Sequence, residues 1–276
     1  MLLILKAVIA LLVIYVFVLI GSQYLQRRLM YFPDTTRFTP EQAGLSGVTE
    51  RELLAPDGEH VIAWYSPARA GAPTILYFHG NGGALETRRE RIKRYQERGV
   101  GMFMMTYRGY GGSSGQPSEK SNVTDGKRAY DALVASGVPA SDIIIYGESL
   151  GTGVAVQVAA EKPAAGLILD APYTSMLELA RLHYPSLPRW LMTDRYETLS
   201  HIGKVKAPLL IIHGDADEVI PVAMGKAVFD AANAPKEIAT FPAAGHSDHY
   251  KFGSYDKIFA WIARLRAGKL TSPPAE

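Results

Sequence analysis

Six apolar runs, TILYFH, GMFMMTY, IIIYG, GLILD, LLIIHG and EIATF, recur along the chain, each reached through a helix-like segment or a longer connection. This pattern narrows the fold more than any other feature. A strand that is apolar along its whole length has to be covered on both faces, and strands alternating with helices pair in parallel with helices on either side. Upstream, ERELLA and HVIAWY flank Pro56, Asp57 and Gly58 and predict an antiparallel hairpin. Between Asp170 and Leu209 lies an aromatic, proline-punctuated stretch longer than a crossover needs. It predicts a small helical cap over the carboxyl edge of the sheet, where open α/β sheets place their ligands.

Leu2 to Ile20 is apolar apart from Lys6 and includes the unbroken run from Ala7 to Ile20, close to the length a helix needs to cross a hydrocarbon core. A cleaved secretory signal is the rival reading, but it wants small residues upstream of the cut, where Leu19 and Ile20 stand before Gly21 and Ser22. The expectation is therefore an uncleaved anchor over residues 1–22, a juxtamembrane linker over 23–46, and an α/β domain over 47–268 with its cap at about 171–206. Residues 269–276, ending in TSPPAE, are expected to be a disordered tail. In the linker, Tyr31 and Phe32 either sit at headgroup level or pack on the domain, the second being the more ordinary role. Arg27, Arg28 and Arg37 follow the span and Lys6 precedes it, which favours a cytosolic domain by a small charge difference. The side of the membrane stays open.

A formal net charge of +2 is too small for a nucleic-acid partner, and the absence of cysteine excludes thiolate catalysis, thiolate metal sites and disulfides. The basic segment ETRRERIKRYQERG, carrying Arg88, Arg91 and Lys93, reads as a solvated helix face with Glu90 pairing to Arg94, and secondarily as a contact for anionic lipid.

Gly147-Glu148-Ser149-Leu150-Gly151 matches G-x-S-x-G between a buried strand, IIIY, and a small-residue helix, GTGVAVQVAA. In that context the pattern is a nucleophile elbow, a turn so tight that side chains at Gly147 and Gly151 would collide with the neighbouring strand or helix. The turn lifts the serine hydroxyl to a helix N-terminus, which favours developing negative charge. A second copy, Gly111 to Gly115 around Ser113, is followed by Gln116 and Pro117, so no helix starts where it would present the serine.

A serine nucleophile needs a histidine to take and return its proton, and an acid to fix the histidine tautomer. LLIIHGDADEVIP places Asp215 and Asp217 after one strand, and FPAAGHSDHY places His246 and His249 after the last. Asp217 is preferred because it lies further into its loop; Asp215 is expected to tie the turn, and Asp170 is the remaining candidate. His246 is preferred because the small residues Ala243, Ala244 and Gly245 let its ring reach back to the elbow. The His246-x-x-His249 spacing lacks the glutamate of a zincin helix, so no metal is assigned. The oxyanion hole is expected from the N–H groups of Leu150 and of Asn81 in HGNGG, with Gly82 as the alternative. His79 and His213 each end a strand and are expected to hold their loops.

With HGNGG, YRGYGGSSG, GESLG, HGDADEVIP and a glycine-preceded histidine in this order, the chain from about Tyr31 to Leu265 resembles the membrane-anchored α/β hydrolases of the bud-emergence-related family. It is also similar to the α/β-hydrolase-domain proteins that remove palmitate from proteins. The resemblance implies an α/β-hydrolase fold with Ser149, Asp217 and His246 as its triad. The linker lacks the cysteine cluster through which the depalmitoylating group attaches to membranes, which leaves depalmitoylation a minority reading. The expected chemistry is hydrolysis of a carboxylic ester or thioester through an acyl-enzyme, without a cofactor, on an acyl-chain or lipid-like substrate. A serine peptidase and a non-catalytic membrane-bound scaffold are the alternatives. A haloalkane dehalogenase is disfavoured, because that chemistry wants a carboxylate at the elbow.

Overall fold

In the computed structural model, which describes residues 2–270, the apolar runs become the strands of an eight-stranded sheet. Residues 271–276, the end of the expected tail, lie outside the described residues. The strands are β1 (Thr49–Leu54), β2 (His60–Ser66), β3 (Thr74–Phe78), β4 (Gly101–Met105), β5 (Ile143–Glu148), β6 (Gly166–Asp170), β7 (Leu209–Gly214) and β8 (Lys236–Phe241). They lie in the order β8-β7-β6-β5-β3-β4-β2-β1. β3 to β8 are parallel, β2 is antiparallel to β4, and β1 and β2 form the expected hairpin, Leu54 opposite His60.

Successive residues of one strand feed two separate cores, which is why the strands show no alternation. Leu76 and Phe78 of β3 and Ile143 and Ile145 of β5 face α3 (Glu119–Ala135) and α4 (Leu150–Ala159). Ile75, Tyr77, Ile144 and Tyr146 face the opposite side, against Ile92 and Tyr95 of α2 (Arg89–Glu97) and Trp261 of α8 (Ser254–Arg266). The cap holds α5 (Met176–His183), the short turn Arg189–Leu191 and α6 (Thr198–Ile202); α7 (Val222–Ala231) follows β7.

α1 (Leu2–Met30), which carries the expected anchor, runs on past residue 22 to Met30, and Met30 and Tyr31 bury themselves in the domain core, for Tyr31 the more ordinary of the two expected roles. Phe32 stays exposed and pairs in parallel with Gly82. In the basic segment, Arg88 and Arg91 are not solvated: their side chains turn inward to the carboxyl edge of the sheet. Glu90 pairs with Lys93 at 3.2 Å, not with Arg94, whose guanidinium lies over the Tyr255 ring. The apolar faces of Ile92 and Tyr95 fix the rotation of α2, and that rotation carries Arg91 under the sheet edge.

Candidate active site

β5 ends at Glu148 and α4 begins at Leu150, leaving Ser149 alone to turn the chain. Its backbone sits at φ 51, ψ −118, a conformation L-residues avoid and one that concentrates at functional turns. The turn is held because the Ser149 N–H donates to the Asp170 carbonyl at 2.8 Å and the Ser149 carbonyl accepts the Thr152 N–H at 2.9 Å. A Cβ on Gly151 would lie 2.1 Å from the Phe78 carbonyl oxygen, and one on Gly147 would lie 2.4 Å from the Gly151 carbonyl oxygen. Both glycines are therefore needed for close approach of helix, strand and turn. The second motif is different in kind: Ser113 is buried and its hydroxyl accepts the Ile62 N–H at 2.8 Å, so it ties a loop to β2.

Ser149, Asp217 and His246 are brought together from three loops. The Ser149 hydroxyl lies 2.9 Å from Nε2 of His246, whose Nδ1 lies 2.7 Å from Oδ2 of Asp217. Oδ1 of Asp217 accepts the N–H groups of Val219 and Ile220 at 2.9 and 2.8 Å. Burial works against its charge, but hydrogen bonds from His213, His246 and Ile220 outweigh it and hold the carboxyl well below the usual range. Burial likewise favours neutral His246, yet its bond to Asp217 and the charges of Asp217, Asp170 and Glu148 raise its pKa. The histidine loop bends through Ala243 at φ 63, and Ala244 passes close enough to β7 that its carbonyl accepts the Ala216 N–H at 2.9 Å. Asp215 does not join the group, and its N–H donates to the Phe241 carbonyl.

His79 and His213 sit fully buried behind this line. The His213 Nε2–H donates to the Ile220 carbonyl at 2.8 Å, bracing the Asp217 loop. The His79 Nδ1–H donates to the Gly80 carbonyl at 2.6 Å, and the Asn81 carbonyl accepts both the Phe32 N–H (2.9 Å) and the Tyr110 hydroxyl (2.7 Å). Because the peptide is trans, fixing the Gly80 carbonyl turns the Asn81 N–H the opposite way.

Beside the elbow lies a charge cluster that was not among the expected site residues. Glu148 and Asp170 are register partners at the ends of β5 and β6. Arg91 approaches both, at 3.4 and 3.8 Å, and Arg88 comes within 3.7 Å of Glu148. The Tyr77 hydroxyl donates to Glu148 and the Tyr146 hydroxyl to Asp170. His249 is held by Asp170 at 2.8 Å and Ser254 at 2.9 Å, which accounts for the second histidine of the spacing. Burial, then the charge of Asp170, pushes Glu148 up to about 7. Burial opposes ionisation of Asp170 too, but His249, Arg91 and Tyr146 together bring it down to about 2. The available signal was two carboxylates ending adjacent strands, which need cations from the nearest preceding helix.

Ser149, Leu150, Asn81 and His246 line one side of a cavity of about 1020 Å³. Its other walls are mostly apolar residues of the cap, with His183 and Ser186 among them, Val219 and Ile220 of the Asp217 loop and, unexpectedly, the end of α1 through Gln26, Leu29 and Met30. Among the described residues, no lysine, arginine, aspartate or glutamate lines it.

A mostly parallel sheet in this order, with a sharp strand-to-helix turn at its carboxyl edge under a helical cap, defines the α/β hydrolases. The family model described as serine aminopeptidase, S33, matches residues 71–195. The chain is 36% identical over 246 residues to the uncharacterized protein Rv2307c of Mycobacterium tuberculosis, covering 88% of this chain and 87% of that one. It is 35% identical over 184 residues to the α/β hydrolase domain-containing protein 17B of Homo sapiens, covering 66% and 63% of the two chains. Among solved structures, the esterase Pf2001 of Pyrococcus furiosus superposes with a TM-score of 0.65 at 19% identity, covering 86% of this chain and 95% of that one. The chain belongs to the α/β-hydrolase superfamily, and hydrolysis is its general chemistry.

Proposed function

We propose that the protein is a membrane-anchored serine esterase or thioesterase acting on acyl-chain substrates. Ser149 attacks the acyl carbonyl while its proton passes to Nε2 of His246. The N–H groups of Leu150 and Asn81 receive the oxyanion. His246 then returns the proton to the departing alcohol or thiol, leaving the acyl group on Ser149. Water repeats the sequence: its proton goes to His246, its oxygen to the carbonyl, and the carboxylic acid leaves with Ser149 restored. Asp217 keeps the imidazole in the tautomer whose Nε2 is free to accept. No cofactor takes part.

The observation that carries this reading is the unbroken line from the Ser149 hydroxyl through His246 to Asp217, at 2.9 and 2.7 Å, opening on an apolar cavity. A peptidase is the second reading, favoured by the family match. Against an aminopeptidase stands the cavity lining, which among the described residues offers no carboxylate to a substrate ammonium. The anchor reading rests on α1, whose segment from Ile4 to Met30 is long enough to span a bilayer and holds an 18-residue stretch with a mean hydropathy of 2.8.

A fluorophosphonate probe tests the chemistry. The wild-type chain is expected to label and Ser149→Ala not to label; an unlabelled wild type would instead fit a scaffold. A panel of p-nitrophenyl esters of increasing chain length, beside an aminoacyl-nitroanilide, tests the substrate. Preference for the anilide would replace esterase with peptidase.

A further inference from the structure

α1 does more than lead into the domain. Its last turns are clasped to the cap by polar bonds: the Gln26 side-chain oxygen accepts the Thr193 N–H at 2.7 Å and its amide donates to the Thr193 hydroxyl at 3.0 Å. The Tyr31 hydroxyl donates to Asp194 at 3.0 Å and lies 2.9 Å from the Tyr196 hydroxyl, which accepts from buried Asn122. Between clasp and cap, Leu29 and Met30 face the cavity that holds Ser149.

Higher on the same helix, Tyr15 meets Trp190 at the tip of the cap, ring centroids 6.3 Å apart. Tyr15 lies five residues inside the apolar run that ends at Ile20, a depth of about 7 Å at the helical rise. The cap tip therefore stands beside the membrane-spanning part of α1. The cap carries exposed apolar side chains: Leu182 is 54% exposed, Tyr184 60% and, at this tip, Trp190 52%. Arg189 next to Trp190 pairs with Glu178 at 3.2 Å. Tyrosine and tryptophan with a neighbouring arginine are the composition of a headgroup-level anchor. Pro188 and Leu191, flanking that tip, line the cavity across from Leu29.

We infer that the cavity is an acyl channel facing the bilayer, walled by the C-terminal turns of α1 and the cap tip, and that its substrate is a membrane-resident lipid acyl ester drawn in sideways along α1. This rests on the hydrolase reading above. The carbonyl reaches Ser149 while the chain lies along Leu29 toward the lipid, so the substrate need not cross water.

The test uses the full chain in phosphatidylcholine vesicles. The sequence has no cysteine, so Leu29→Cys introduces a single thiol. Ser149 is first phosphonylated with either an ethyl or a dodecyl fluorophosphonate, and the rate of thiol modification by N-ethylmaleimide is then measured. A dodecyl chain that fills the cavity is expected to slow modification by about tenfold or more relative to the ethyl adduct, as burial within a ligand pocket implies. Equal rates for the two adducts would overturn the inference while leaving the hydrolase reading intact. A wild-type chain that takes up neither phosphonate would fail that reading, and the inference with it. Membrane contact of the cap is read separately, because Trp64 and Trp261 are buried and Trp190 is exposed. Brominated lipid is expected to quench fluorescence in the wild type and not in Trp190→Phe; no quenching in the wild type would overturn the bilayer-facing channel.

Discussion

The Nδ1–H of His79 donates to the carbonyl of Gly80 at 2.6 Å, and this one bond sets the peptide that carries the Asn81 N–H. His79 is wholly buried, and burial, with the charge of Arg88 added, brings its pKa down to about 3, so it is neutral at physiological pH. With the Asn81 N–H receiving the oxyanion as proposed, His79 is its positioning residue. His79→Phe keeps the ring and its packing on Tyr107, whose centroid lies 4.2 Å away, but loses the bond. The expected result is a fall in kcat by up to about two orders of magnitude, approaching the loss of a whole donor, with KM little changed. An equal change in KM with kcat preserved would show that the loop only shapes the cavity.

Asp217 should govern both the rate and its pH dependence. His246 must be neutral to accept the serine proton, so kcat/KM should rise with pH through the raised pKa of His246, above the usual value of about 6.5. Asp217→Asn removes the hydrogen bond and charge that do most to raise it, leaving those of Asp170 and Glu148, and lets the amide face Nδ1 with the wrong hydrogen. A drop of about four orders of magnitude is expected, with the residual activity's acidic limb moved to lower pH. A profile measured between pH 5 and 9 on a p-nitrophenyl ester checks this. An unchanged limb would remove Asp217 from its role.

The pair Asp170 and His249 should matter to stability rather than to turnover. Asp170, held down to about 2, stabilises the fold fully above its unfolded value near 3.9, and that contribution is lost as pH falls toward about 2. His249 has a raised pKa, so its contribution is complete below its unfolded value near 6.5 and is lost as pH rises through the raised one. Asp170→Asn leaves the Ser149 N–H bonded to a backbone carbonyl but strips a buried partner from His249 and Arg91. Destabilisation of about 3 kcal/mol or more is expected, largest between pH 4 and 6.5 in urea denaturation. A uniform loss across pH would mean that packing alone is at stake.

Gly151 and Gly203 make a contrast within one chain. Alanine at Gly151 would press its methyl to 2.1 Å from the Phe78 carbonyl, whereas the nearest atom to a Cβ at Gly203 is 3.8 Å away. Gly151→Ala is expected to lower the melting temperature sharply, an overpacking cost of about 3 kcal/mol or more. Gly203→Ala, in helical backbone at φ −67, should be neutral or stabilise by about 0.5 kcal/mol. Similar melting temperatures for the two variants would refute the tight elbow.

Much of the fold was legible because its strands are buried on both faces, so Ile143 to Tyr146 and Leu209 to Ile212 had to be apolar without alternation. The convergence of Ser149, Asp217 and His246 was legible for a related reason: parallel strands deliver every following loop to the same edge. Arg88 and Arg91 were misread because charge spacing along a helix says nothing about what its apolar face packs on. Ile92 and Tyr95 pin α2 to the sheet, and only the tertiary fold shows Glu148 and Asp170 waiting there. Leu29 and Met30 were opaque as cavity residues for the same reason, since their contacts to the cap span some 160 positions of sequence, as Gln26 to Thr193 does with a separation of 167.

The central claim, a covalent intermediate on Ser149, is tested most directly by mixing the full chain rapidly with p-nitrophenyl laurate, quenching in acid and weighing the protein. The account predicts a burst of nitrophenol equal to the enzyme present, and a dodecanoyl mass on the peptide containing Ser149. Nitrophenol released steadily with no acyl adduct, and undiminished in Ser149→Ala, would contradict it.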